Sequence, residues 1–107
     1  MNNFYVYAYL DPRKIGKYTY GELSFDYEPF YIGKGTKNRC YSGIRDKIKS
    51  LKTCKIRSLI DSGNFPIVTK IYENISNEEA CSLEIESIKK IGRIDLKLGP
   101  LTNLTDG

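Results

Sequence analysis

A small α+β domain, with a central three-stranded antiparallel sheet flanked by helices, is the fold class this sequence predicts. Three observations carry that expectation. Residues 4–10, 29–33 and 66–73 have the aromatic and β-branched composition of strands. Two other regions carry helical spacing or helix-start signals. The resulting order, β-β-α-α-β-α, describes a small sheet covered by helices. At 107 residues the chain has room for one core and not for two, so a single domain spanning 1–107 is expected.

The first strand reads Phe4-Tyr5-Val6-Tyr7-Ala8-Tyr9-Leu10 and stops at Asp11-Pro12. Residues 11–28 contain Pro12, Gly16 and Gly21 and read as a long hairpin excursion, with a short strand of its own near 18–20. The second strand, 29–33, ends in the turn Gly33-Lys34-Gly35. Tyr41, Ile44, Ile48 and Leu51 then recur at helical spacing with bases on the other side, which predicts a helix. A short helix over 54–61 follows and ends at Ser62-Gly63. After the third strand, Ser76-Asn77-Glu78-Glu79 matches a capping box, and Gly92 closes the helix it opens. Residues 98–107 read as an ordered loop or short strand.

Composition excludes several chemistries. There is no histidine, and three cysteines (Cys40, Cys54, Cys81) cannot all pair. A Cys/His zinc site, a disulfide scaffold and any histidine-base mechanism are therefore ruled out, and the cysteines read as buried small residues. The longest apolar run has seven residues, against about 20 for a membrane span. A reduced, cytoplasmic setting without membrane contact is expected. The net charge of +4 is uneven. Between Lys34 and Arg57 nine bases face one acid, Asp46, so that segment is +8 and the remainder −4. Such a block is either a solvated helix face or a surface for a polyanion.

One acidic residue falls where an apolar one belongs. Ala80, Leu83, Ile88 and Ile91 form a stripe along the last helix, and Glu84 lies inside it. A carboxylate there needs a cation, several donors or water. A buried salt bridge, an edge position, a metal ligand and a catalytic acid all remain open on pattern alone. Gly33-Lys34-Gly35 could form a backbone nest for phosphate but is not a Walker A loop, and no nucleotide cofactor is expected.

Tyr5-Val6-Tyr7, then Tyr31-Ile32-Gly33, Arg39, Glu84 and Asn103 follow one another in an order that resembles the catalytic domain of the GIY-YIG endonucleases, over essentially the whole chain. The extended first loop with Asp11-Pro12-Arg13 is similar to phage-type, homing-endonuclease-like members, which would place the protein in a host-cell cytoplasm. The resemblance implies a Mg²⁺-dependent endonuclease (with Mn²⁺ as a substitute) that cuts double-stranded DNA one strand at a time. It implies that Glu84 is the only protein ligand of the metal. Tyr31 would be the general base or the group orienting the attacking water, with Lys34 favouring its phenolate. Arg39 would hold the scissile phosphate, Tyr7 would join the proton-transfer network and Asn103 would fix the sheet side of the site. Lys34, Lys37, Arg39, Arg45, Lys49 and Lys52 are the expected DNA contacts.

Three positions depart from the family pattern. Tyr5 stands where the first motif usually begins with glycine. The interval to Tyr31 is long, which leaves Tyr20 as a rival to Tyr7. Gly43 occupies the position, four residues after the arginine, where members commonly carry histidine or tyrosine. That last departure keeps alive a nucleic-acid-binding module without chemistry, and more remotely a basic protein-interaction domain. With its limited surface, the chain is expected to be a catalytic fragment whose target reader lies in a C-terminal region. Target sequence, biological role and oligomeric state stay open.

Overall fold

A computed structural model describes residues 2–107. Its elements are β1 (Phe4–Tyr20), β2 (Leu23–Gly35), α1 (Arg39–Ser42), a 3₁₀ turn at Gly43–Arg45, α2 (Leu51–Asp61), β3 (Ile67–Ile75), α3 (Asn77–Ile91) and a second 3₁₀ turn at Ile94–Leu96. The three strands form one antiparallel sheet in the order β2-β1-β3, as expected. No helix among the described residues is long and apolar enough to cross a membrane.

The central strand sorts its side chains by the two-residue period of a pleated sheet. Val6, Ala8 and Leu10 face one way and pack with Ile32, Leu101 and the α3 residues Ala80, Ile88 and Ile91. Tyr5, Tyr7 and Tyr9 face the other way and pack with Phe30, Cys40 and the α2 residues Ile56 and Leu59. The sheet is thus covered on one face by α3 and on the other by α2. α3 begins as expected: Ser76 accepts from the Glu79 amide, and the Glu79 carboxylate accepts from the Ser76 amide.

Two parts of the fold differ from the sequence expectation. The excursion over 11–28 is not a loop. β1 runs on to Tyr20 and β2 returns from Leu23, giving a two-stranded ribbon with register shifts near Asp11 and Ile15. β3 pairs with β1 only as far as Leu10, so Pro12 sits in the ribbon, where no third strand needs its missing N–H. The second difference lies at 41–51. In place of a continuous helix there is a four-residue α1, a 3₁₀ turn and an irregular stretch, and Tyr41 and Ile48 are exposed. Gly43 is a poor helix former, and the Asp46 carboxylate accepts from the Ile48 amide, a local bond that competes with helix. Ser50 then caps a new helix through a reciprocal pair with Thr53. The cysteines also divide: Cys40 is buried, Cys54 exposed and Cys81 intermediate.

One buried charge ties this architecture together. Asp11 is fully buried at the end of the three-stranded region. It pairs with Lys55 of α2 at 2.8 Å and with Arg13 at 3.2 Å, and it accepts from the Arg13 amide at 2.9 Å. Burial alone pushes its pKa up, but these bonds outweigh burial and hold it at about 2. Because the folded value is depressed, the stabilisation is complete above the unfolded value near 4 and is lost as pH falls from there toward 2. Asp11→Asn is expected to cost about 2 kcal/mol at neutral pH. Lys55 and Arg13 are partly exposed and regain water, which keeps the loss below that of a wholly buried pair. Urea titrations at pH 7 and pH 3 check this: the gap between wild type and variant should shrink at the lower pH.

Candidate active site

The bulge in β2 sets the site. Tyr9 pairs with Tyr31 and Leu10 with Pro29, so Phe30 is an extra residue. A bulge re-aims the side chains around it. Here Phe30 and Tyr31 both turn toward the tyrosine face, with Tyr31 5.4 Å from Tyr9 and 6.3 Å from Tyr7 between ring centres. The C-terminal tail holds the bulge from outside. Phe30 O accepts from the amide and the hydroxyl of Thr102, both at 2.7 Å. Asn103 accepts from Ile32 N at 3.0 Å and donates to Ile32 O at 2.8 Å. Tyr31 therefore sits between two clamped neighbours. Asn103→Ala leaves the buried amide and carbonyl of Ile32 without partners and is expected to destabilise by about 1–3 kcal/mol. Chemical denaturation measures that loss, and hydrogen exchange at Ile32 localises it.

Tyr7, Tyr31, Arg39, Ser42, Gly43, Arg45, Asp46 and Lys52 line one cleft of about 330 Å³. Close approach explains two glycines here. A Cβ on Gly33 would come within 2.5 Å of the Tyr7 hydroxyl, and one on Gly35 within 2.4 Å of Arg39 Cγ. The phenol of Tyr7 and the stem of Arg39 thus lie directly against the β2 backbone. Lys52 Nζ stands 4.7 Å above the Tyr31 ring and 3.6 Å from Asp46. A neighbouring groove of about 540 Å³ shares Arg45 and Asp46 and adds Lys47, Lys49 and Arg57.

The structure brings together Tyr7, Tyr31, Arg39, Arg45 and Lys52, with Lys49 in the adjoining groove and Lys37 exposed on the loop before Arg39. Tyr20, the rival to Tyr7, packs on Phe25 along the ribbon and does not line this cleft. Glu84 is not in the cleft lining. It projects from α3 and is half-buried. It forms no ion pair or hydrogen bond with any described residue. Burial raises its pKa, and Lys34 opposes that shift. Its charge nevertheless reaches Tyr31. Desolvation first, then Glu84, push the Tyr31 pKa up; Arg39 lowers it, and Asp46 raises it further. Burial also raises Tyr7 strongly.

Lys34, expected beside the Tyr31 phenol, has other neighbours. Its ammonium donates to Asn77 Oδ1 at 3.0 Å and lies 5.7 Å from the Phe4 ring. It acts on Glu84, while the cation that favours the Tyr31 phenolate is Arg39. The net shift leaves Tyr31 a neutral phenol at neutral pH. Sequence reasoning singled out Lys52 only as a DNA contact and did not identify Asp46 as a wall of the cleft; their separation from Tyr31 along the chain gave no signal.

A bulged hairpin that presents two tyrosines and an arginine in a basic cleft, on a three-stranded sheet between helices, defines this small α+β domain. The model of the LEM-3-like GIY-YIG domain matches residues 4–107, and the chain belongs to that family. No curated protein and no solved structure matches it. The matched branch differs from the phage homing-endonuclease-like subgroup that the long hairpin brings to mind.

Proposed function

We propose that this domain is a divalent-metal-dependent endonuclease that hydrolyses the phosphodiester bonds of double-stranded DNA, one strand at a time. The observation that carries this reading is the shared cleft of Tyr7, Tyr31 and Arg39, with the Glu84 carboxylate, unpaired among the described residues, acting on the charge of Tyr31. Among the described residues no cluster of three or more His, Cys, Asp or Glu could hold a metal. A single half-buried carboxylate suits Mg²⁺, which keeps several waters and takes one or two protein oxygens. Mg²⁺, or Mn²⁺ in its place, would be held by Glu84 and would supply Lewis-acid stabilisation at the leaving 3′-oxygen.

The remaining chemistry belongs to the chain. Arg39 binds the scissile phosphate and offsets the charge that builds on its non-bridging oxygens. Tyr31, as a neutral phenol, orients the attacking water through a hydrogen bond; Tyr7 extends that network. The water oxygen bonds to phosphorus as the bond to the 3′-oxygen breaks; the water's proton passes to bulk solvent, and the departing 3′-oxygen takes a proton from solvent. The products are a 5′-phosphate and a 3′-hydroxyl. Arg45, Lys49 and Lys52 meet the flanking backbone, with Lys37 reaching further out, and binding should weaken steeply with salt. Lys34 stays on the Glu84 side.

A homing role rests on the long hairpin alone and adds nothing to this mechanism. The test is nicking of supercoiled plasmid by the purified domain in Mg²⁺ and in EDTA. Nicks that appear only with the metal and carry 5′-phosphates are expected. Salt-sensitive binding with no cleavage in Mg²⁺ or Mn²⁺ would overturn the reading in favour of a binding module.

A further inference from the structure

We propose that Tyr5 and Tyr9 form a bracket that positions Arg39, by holding both polar groups of the next residue's backbone. This rests on the assignment of Arg39 to the scissile phosphate. The Tyr5 hydroxyl accepts from Cys40 N at 3.0 Å and donates to Lys37 O at 2.7 Å. The Tyr9 hydroxyl donates to Cys40 O at 2.7 Å. Both phenols are buried on the central strand, and Cys40 is fully buried between them. The residue midway, Tyr7, shares their face and is the one that reaches the cleft.

The bracket is needed because the element that carries Arg39 cannot hold itself. α1 has four residues, its N-cap Asn38 makes no side-chain capping bond, and a 3₁₀ turn follows at once. A single helical turn has no independent stability in water. The loop before it includes Lys37 at φ +52°, an uncommon conformation for a residue with a side chain, and Tyr5 accounts for its carbonyl. Two rigid phenols fixed by the sheet therefore define where α1 sits. Through the adjacent peptide they define where the Arg39 stem meets Gly35.

Gly43 belongs to the same device. A Cβ there would lie 2.7 Å from the Tyr9 hydroxyl. The glycine and the phenol are a matched pair, since any side chain at 43 pushes Tyr9 off Cys40. This accounts for two departures from the family pattern at once: Tyr5 in place of glycine supplies one jaw, and Gly43 makes room for the other.

The experiment compares Tyr9→Phe, Tyr5→Phe, Gly43→Ala and the Gly43→Ala/Tyr9→Phe pair. Readouts are single-turnover nicking at saturating DNA, DNA affinity, and the Arg39 side-chain Nε–H resonance by NMR. Each single variant should lower the nicking rate about 10- to 100-fold, since misplacement of about 1 Å costs that order. DNA affinity should stay within about twofold, because the distributed backbone contacts remain. The Arg39 resonance should move. The double variant should cut faster than Gly43→Ala alone, a non-additivity that marks the two as one unit. Ile91→Val, on the opposite sheet face, should lower thermal stability without moving the Arg39 resonance. Should Tyr9→Phe and Tyr5→Phe both leave that resonance and the rate unchanged, the bracket is refuted. If the wild-type domain does not cut DNA at all, the nuclease reading fails by itself, and the Arg39 resonance alone decides the bracket.

Discussion

Arg39→Ala should reduce single-turnover nicking by about 10²- to 10³-fold, the usual loss when a preorganised donor to a developing oxyanion is removed. Arg39 is exposed at the start of α1, and its stem lies on Gly35, so little stability is lost with it. Surface truncations of this kind fall within about 0.5 kcal/mol. The guanidinium is also the charge that holds the Tyr31 pKa down against burial, Glu84 and Asp46. Its removal must therefore raise that pKa, and any alkaline inflection in the rate profile that belongs to Tyr31 should move to higher pH. Arg39→Lys separates the two effects. It keeps a positive charge near Tyr31 but loses the planar fork that grips phosphate oxygens in pairs. Its pH profile should resemble that of the wild type while its rate stays well below it. Parallel pH–rate curves for the three proteins test this directly. An Arg39→Ala rate within threefold of wild type would remove Arg39 from the mechanism.

The sequence made some of this legible because the governing signals are local. The strand-like run from Phe4 to Leu10 and the capping box at Ser76–Glu79 act within a few residues, and β1 begins and α3 runs where those signals put them. Glu84 stood out because a carboxylate in an apolar stripe is a violation visible in one dimension, and the structure keeps it half-buried with no ion pair or hydrogen bond among the described residues. What could not be read depends on contacts across the fold. The apolar spacing of Tyr41, Ile44, Ile48 and Leu51 imitates a helix, yet a glycine, an Asp46 turn and the Ser50 cap divide it. The charge balance at Tyr31 was invisible for the same reason. Lys34 is three residues away in sequence but acts on Glu84, whereas Arg39, Asp46 and Lys52 converge on Tyr31 from α1, the following turn and α2.

Tyrosine content shows the same division. Tyr5, Tyr7 and Tyr9 are equivalent in the sequence pattern, three aromatics on one face of one strand. Only the path of residues 35–43 distinguishes them, by bringing Cys40 beneath Tyr5 and Tyr9 and Arg39 beside Tyr7. Long-range packing assigns roles that periodicity leaves equal.

Glu84→Gln has the largest expected effect, and its direction discriminates between two ways the residue can act. The side chain is nearly isosteric, so its fit beside Gly107 of the tail is preserved. Glu84 has a pKa raised by burial, which means that its ionised form is disfavoured in the folded protein. By linkage, such a group costs stability as pH rises through its unfolded value toward its folded one. Glu84→Gln should therefore leave stability at pH 7 unchanged or slightly increased, the opposite of what a structural salt bridge would give. The negative charge also raises the Tyr31 pKa, so removing it makes the phenol easier to ionise. If Glu84 influenced the reaction only through Tyr31, the variant would match or exceed the wild-type rate near neutral pH. If it holds the cation, the rate should fall by about 10³-fold or more, because several kcal/mol of charge stabilisation at the leaving oxygen are lost. We expect the second outcome, together with loss of Mn²⁺ binding by calorimetry in the presence of an uncleavable duplex. A stable Glu84→Gln protein that cuts DNA as fast as wild type would show that this carboxylate is not the metal ligand.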